Sequence, residues 1–327
     1  MQSFVKLRYV WFALSLLVIV PGAISFAMFG LRLGIDFSGG ALWDLQFVTR
    51  EPGTVTTEAV RQVFAANGFE GVQVQFTTAD VDGKTVAAAV VRTPALSADD
   101  PNGQIAAVLT ALGGQFGETR RAALQSVGAT VSGESTRSAV IAVIGACLVI
   151  LVYLTLAFRR APHPIRYGVC AILAMLHDVL VVLGVASILG QVIGLEVDAL
   201  FLTALLTIIS FSVHDTIVVF DRIRENLIGR RPGESFADIV NHSIVQTLPR
   251  SINTQLTTFF TLLALLLFGG TSIRNLVLIL TIGLLSGTFS SIFNAAQLLV
   301  VWEQREWRTW FGRGNPPPAP ATTPPGV

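Results

Sequence analysis

Two adjacent pairs, His177-Asp178 and His214-Asp215, place an imidazole beside a carboxyl inside long apolar runs, and Arg250 opens a third such run. These residue types titrate or hold charge. An Asp near mid-membrane costs at least about 2.5–3.5 kcal/mol on insertion scales, and groups that costly usually mark ion or proton paths. Asp215 lies six residues before Asp221, the first charge beyond the apolar run, so it sits about 9 Å inside that edge. Arg250 enters the next run from the same edge, at similar depth on an antiparallel neighbour. The two could form an ion pair, or Arg250 could mark the interface and snorkel to water. Paired, a carboxylate pulled one way by burial and the other by a guanidinium loads and releases a proton when its partner moves.

Spacing at about 100° per residue collects the remaining polar groups into stripes. Thr203, Thr207, Ser210 and His214 share one face; Arg250, Thr254, Thr257 and Thr261 share another; Gly283, Gly287, Ser290, Asn294 and Gln297 form a third. Small residues allow helices to approach closely and hydroxyls bond across them, or back to their own helix. These faces are expected to turn inward, against each other or against a partner.

The elements that must carry these groups are membrane helices. The chain is 52% hydrophobic and 13% charged, with a mean hydropathy of +0.65, beyond what a water-soluble fold of this length uses. Six runs can cross about 30 Å of hydrocarbon: Tyr9–Gly30, Ser138–Phe158, Ile165–Gly190, Val197–Phe220, Pro249–Phe268 and Ile273–Val301. The first exceeds a signal-peptide core and lacks an A-x-A site, so it reads as a retained anchor. Cys147 and Cys170 fall in apolar runs and read as core residues. The net charge of +1 points to no partner.

Lys and Arg in the short loops set the orientation. Lys6 and Arg8 precede the first span; Arg159, Arg160 and Arg166 lie between the second and third. Arg222, Arg224, Arg230 and Arg231 lie between the fourth and fifth, and Arg305, Arg308 and Arg313 follow the sixth. The opposite loops carry only Arg274. Both termini are expected in the cytoplasm, with residues 31–137 outside it. Trp302, Trp307 and Trp310 read as an interfacial anchor, and the NPPPAPATTPPGV end as a disordered tail, so that the segments are 1–30, 31–137, 138–303 and 304–327.

Residues 31–137 read as βαββαβ. ALWDLQFV alternates like a strand, and TTEAVRQVFAANGF is a helix ending at Gly68. A hairpin turns at Asp82-Gly83, a second helix is opened by Asp99 or Asp100 with Pro101, and RAALQSVGATV is a last strand. This order matches a ferredoxin-like α+β domain. The fold expected is a polytopic α-helical membrane protein with one such extracytoplasmic domain inserted after the first of six helices.

GIDFSGG (34–40), HDTIVVFDRIREN (214–226), TLPRSINTQLTT (247–258) and, loosely, SVGATVSGES (126–135) occur in this order. They resemble the SecF family, a subunit of the bacterial protein-export machinery related to the resistance–nodulation–division transporters. The resemblance spans residues 1 to about 303 and carries Gly34, Asp36, Gly39, Gly40, Asp221 and Arg222 as motif positions. It implies a proton-relay carboxylate at Asp215 and an essential arginine at Arg250; beside them His214, His177, Asp178, Thr254 and Thr257 are candidates for relay support. His214 stands where the family has Asn. The resemblance also implies a SecD partner, use of the proton-motive force, and assistance to a preprotein leaving the SecYEG channel, all in the bacterial inner membrane among its lipids, with no nucleic acid and no cofactor.

Two other classes compete. Asp178 and Asp215 could be the carboxyl pair of an intramembrane aspartyl protease, but both follow His and lack that class's Tyr-Asp and Gly-x-Gly-Asp patterns. An exporter of lipids or small molecules normally needs two repeats and larger external domains. No ATP-binding motif, metal-ligand constellation or nucleophile triad is present, and the glycines of GIDFSGG read as a sharp exit from the first helix and not as a phosphate loop.

Overall fold

The computed structural model describes residues 4–97, 99–159, 161 and 163–306. Arg160, Trp307, Arg308, Trp310, Arg313 and the Pro-rich tail lie outside the described residues. The chain divides into two compact units, Leu33–Ile141 and the remainder, Met1–Arg32 with Ala142–Val327.

The smaller unit holds α2 (Ile35–Ser38), β1 (Gly40–Phe47), α3 (Thr57–Ala66), β2 (Gln73–Val81), β3 (Lys84–Thr93), α4 (Pro101–Phe116) and β4 (Thr119–Val127). Its four-stranded sheet is antiparallel with strand order β2-β3-β1-β4. The alternate residues Ala41, Trp43, Leu45 and Phe47 of β1 point to one face and are buried with Val60 and Phe64 of α3 and Val108 and Leu112 of α4, the period-2 pattern of a half-buried strand. Trp43 donates its Nε1–H to Thr93 Oγ1 at 3.0 Å. Local signals placed the helices: the Thr56 hydroxyl caps α3 and the Asp100 carboxylate caps α4, with Pro101 in its first turn. The β2–β3 hairpin turns through Asp82 (φ 53°) and Gly83 (φ 76°), the two left-handed residues a tight I′-type connection requires.

Among the described residues, six helices are long and apolar enough to cross a membrane. They are α1 (Arg8–Phe29, entered through a 3₁₀ turn from Phe4), α5 (Ala129–Ala157), α6 (Pro164–Val192), α7 (Ala199–Ile228), α8 (Phe236–Phe268) and a last span built from α9 (Thr271–Ser290), a π-helical turn (Ser291–Ala295) and α10 (Ala296–Glu303). The helices overrun the apolar runs for physical reasons. Of the GATV expected to end the last strand, Ala129, Thr130 and Val131 belong to α5, which starts at Ala129, nine residues before the apolar run. The helix α7 continues through the charged DRIREN to Ile228, and α8 begins well before Pro249, which lies inside it. Bonds between these extensions hold them helical: Arg222 donates to Gln246 Oε1 (2.6 Å), and the Asn226 amide donates to Ser243 Oγ (2.8 Å) and Gln246 Oε1 (2.9 Å). Asp221 pairs with Arg224 one turn on.

Close approaches organise the bundle. Gly283 of α9 faces Ile208 of α7 with no room for a Cβ, and a Cβ at Gly287 would lie 3.4 Å from Ser212 Cβ. The third stripe is therefore buried: Gly287 packs on α7, Ser290 and Gln297 are fully covered, and Asn294 exchanges hydrogen bonds with Ser15 of α1. At the ends, Arg8 pairs with Glu306 (2.6 Å) and Arg166 with Glu303.

Candidate functional site

Asp215 faces the interior of the bundle and is 4% exposed. Its carboxyl accepts a hydrogen bond from the side-chain amide of Gln255 on α8. The same turn of α7 is pinned to the last span: Thr216 Oγ1 lies 3.0 Å from Ser291 Oγ, and Ser291 donates to the Ser212 carbonyl at 3.0 Å. Ser291 is the first residue of the π-helical turn, a feature frequent at functional sites because it re-aims side chains within a helix. Gln255 Oε1 is buried and has no hydrogen-bond partner among the described residues.

Asp178 of α6 is fully buried and has four partners. Ser212 of α7 and Ser290 of α9 donate to Oδ2, Ser286 of α9 donates to Oδ1, all at 2.6 Å, and His177 Nδ1 lies 3.0 Å from Oδ1. The hydroxyl distances fall in the charge-assisted range of about 2.5–2.7 Å. The His177 ring stacks on Phe289 with centroids 6.2 Å apart. The two buried aspartates thus have separate partners and do not bond each other, unlike the proton-sharing pair an aspartyl protease needs.

The other expected polar groups lie elsewhere. Arg250, Thr254 and Thr257 occupy the exposed face of α8, and His214 the exposed side of α7. Among the described residues Arg250 makes no ion pair with Asp215; the amide of Gln255 takes that place. The two stripes on α7 and α8, expected to turn inward, are largely exposed on the isolated chain. Their threonine hydroxyls bond back to their own helices, as Thr254 does to the Arg250 carbonyl at 3.0 Å and Thr207 to the Thr203 carbonyl at 2.7 Å.

Comparison with known proteins adds a second line of evidence. The family described as "Protein export membrane protein SecD/SecF, C-terminal" matches residues 106–305, and the "SecD/SecF GG Motif" matches residues 24–49. The chain is 49% identical to the protein translocase subunit SecF of Thermobaculum terrenum, over 97% of this chain and 98% of that one. The chain belongs to the SecD/SecF family. It is also 36% identical to the protein translocase subunit SecDF of Bacillus subtilis, covering 93% of this chain and 38% of that longer one. The crystal structure of SecDF from Thermus thermophilus, titled a translocon-associated membrane protein, superposes with a TM-score of 0.76 at 34% identity, over 92% of this chain and 38% of that chain. This is a multi-pass membrane protein of a protein-export family.

The segment matching the GG motif has a structural basis. Gly30 ends α1 at φ 67°, Ile35–Ser38 makes one helical turn, and Gly39 (φ 72°) and Gly40 (φ 118°) swing the chain into β1. A Cβ on Gly40 would meet the Thr93 carbonyl. Arg92 of β3 donates to the Leu33 carbonyl (2.7 Å) and Ser38 Oγ (2.6 Å), tying the turn to the sheet. Gly34 has an ordinary extended backbone at φ −68°, and Asp36 lies in the single turn.

Gln255, Ser212, Ser286 and Ser290 complete the two clusters, and of these the three sequence stripes include only Ser290. A signal for Gln255 existed: Thr247, Ser251 and Gln255 recur every four residues, forming a polar stripe on the buried side of α8. Arg250 and Thr254 lie on the adjacent, exposed face of the same helix.

Proposed function

We propose that the chain is the SecF half of a translocase that pairs with a separate SecD subunit and uses the proton-motive force to help a preprotein leave the SecYEG channel. The observation that carries this reading is Asp215: a carboxyl 4% exposed within a membrane span, held by one neutral amide donor. Such a group is costly in hydrocarbon and suits a site that takes up and releases a proton. Arg250 joins the relay from the exposed face of α8, with His214, Thr254 and Thr257 beside the path and His177 and Asp178 supporting it. Polar faces on α7 and α8 that would be expensive against lipid suit a partner that brings an anion to Arg250. The SecDF relatives, whose single chains bear both names, support SecD as that partner. The exposed apolar side chains of α1 and α5 suit lipid.

In this reading both termini are cytoplasmic and the domain over 31–137 lies outside. Its β2-β3-β1-β4 order with two helices on one face supports the ferredoxin-like assignment. A proton on Asp215 changes the carboxyl's pull on Gln255 and on Arg250, shifts α7 and α8 against SecD, and moves the external domain. The protein acts in transport and not as an enzyme. The test is Asp215→Asn in vesicles with SecD and SecYEG, following preprotein export with and without an imposed proton gradient. Loss of the gradient-driven part in a complex that still assembles is expected. Retention of it at the wild-type level makes Asp215 structural.

A further inference from the structure

We infer that Asp178 is a positioning residue for the relay, a fixed hub that seats the Asp215 turn of α7 between α6 and α9 and carries no transported proton itself. This rests on the relay reading of Asp215.

The two carboxyls are built differently. Four donors or ring nitrogens meet Asp178, two on each oxygen: Ser212 and Ser290 on Oδ2, Ser286 and His177 on Oδ1. An ionised carboxylate offers about four lone-pair sites and no donor; the three serine hydroxyls fill three of them, and His177 Nδ1 fills the fourth in the tautomer that carries its proton there. An acid proton on Oδ2 would have to displace one of the hydroxyl hydrogens, and one on Oδ1 would need His177 Nδ1 as its acceptor. Three helices supply the partners, so emptying the cradle means moving α7 and α9 off α6 together. Asp215 by contrast has, among the described residues, a single side-chain donor, the neutral amide of Gln255.

The hub also reaches Asp215 through the chain. Ser212 lies three residues, close to one helical turn, before Asp215. Its hydroxyl is fixed by Asp178 and its carbonyl by Ser291, while Thr216, just beyond Asp215, bonds both the Ser212 carbonyl and Ser291. The relay residue is thus bracketed by two anchored positions that fix how α7 is rotated. Gly287 lies against the same cluster: a Cβ there would sit 3.8 Å from Asp178 Oδ2 and 3.4 Å from Ser212 Cβ, in ordinary contact, and leaves no space toward Ser212 for a side chain that extends past Cβ.

The titratable groups around Asp178 are few. On α6 itself His177 is the neighbour, with its Nε2 buried and unpartnered among the described residues; Tyr167 and Cys170 lie two or more turns away. The helix α7 brings Asp215 and the exposed His214. From α9 comes only Arg274, near its far end; α1 has none between Tyr9 and Arg32, and α10 brings Glu303, which Arg166 holds.

The experiment uses the chain assembled with its SecD partner in vesicles, as wild type and as Asp178→Asn, Asp215→Asn, Ser286→Ala and Ser286→Thr. Infrared difference spectra between acid and alkaline pH read the protonated-carboxyl carbonyl band, and export with and without a proton gradient is followed in parallel. The band component missing in Asp215→Asn should persist in Asp178→Asn, while gradient-driven export in Asp178→Asn falls about tenfold or more. Ser286→Ala should lower gradient-driven export several-fold, and Ser286→Thr, which keeps the hydroxyl on a half-buried position, should restore it. A band component lost in Asp178→Asn and kept in Asp215→Asn overturns the inference, as does wild-type export by Ser286→Ala. Should Asp178→Asn fail to insert, the Ser286 pair decides on the same criteria. Undiminished gradient-driven export by Asp215→Asn is a different failure, that of the relay reading.

Discussion

Gly22 of α1 and Gly184 of α6 cross backbone to backbone, so that a Cβ on either would stand 2.7 Å from the other's Cα. Beside this crossing Ser25 Oγ and Ser187 Oγ are 2.9 Å apart, and Ser187 donates to the Gly30 carbonyl at 2.8 Å. Without a hydrophobic driving force between helices in lipid, close approach and such bonds are what hold α1 in place. Gly184→Leu is expected to force the helices apart at a cost of about 1–3 kcal/mol or more. Thermal unfolding of the purified protein in detergent reads it: the melting point should fall clearly below wild type, and an unchanged one means that the crossing is not closed.

Gln255 is the donor to Asp215. Gln255→Leu keeps a comparable bulk and removes that donor, leaving a buried carboxyl without its side-chain partner, a change worth about 1–3 kcal/mol. Gradient-driven export should drop about tenfold, while the amount of protein inserted in the membrane stays the same. Export at the wild-type level would show that the amide is incidental.

Asp44 stands on β1 on the sheet face opposite the core, and burial raises its carboxyl above the ordinary value of 3.8. The folded domain therefore binds this proton more tightly than the unfolded chain. Stability from this group is greatest below the unfolded value and declines as pH rises through the folded one. Asp44→Asn should slow hydrogen exchange of the β1 amides at neutral pH and make little difference near pH 3 to 4, about the carboxylate range. A stabilising effect of equal size at both pH values would assign it to something other than titration.

The hairpin turn tests backbone chemistry free of packing. Gly83 adopts φ 76° with nothing within 4 Å of where a Cβ would stand. Gly83→Val should then cost about 1–2 kcal/mol through backbone strain alone, and Gly83→Asn much less, since Asn tolerates the left-handed region. Faster amide exchange confined to β2 and β3 in the Val variant, relative to the Asn variant, is the expected readout. Equal exchange in the two would mean that the turn has rearranged.

Much of the fold is legible in the sequence because its causes are local. Six apolar runs gave six helices; TTEAV marked the start of α3, Asp99 or Asp100 with Pro101 that of α4, where Asp100 is the cap, and Asp82-Gly83 the hairpin. The ends of α5, α7 and α8 were less legible. Apolar runs mark what lipid solvates, whereas a helix continues as far as its backbone bonds are protected, and Arg222, Asn226, Ser243 and Gln246 protect them beyond the lipid.

The sequence by itself determined which charged and polar residues lie inside apolar helices, and which of them share a face. Periodicity fixes those relative angles but leaves each helix free to rotate as a whole. Only the packed structure decided that Gln255, and not Arg250, meets Asp215, and that Asp178 gathers hydroxyls from Ser212, Ser286 and Ser290, 34 to 112 residues away. The physical reason is where backbones can come close. Gly283 and Gly287 let α9 settle on α7, and Gly22 and Gly184 let α1 settle on α6. Those contacts set the rotations that turn one polar stripe inward and leave two others facing out.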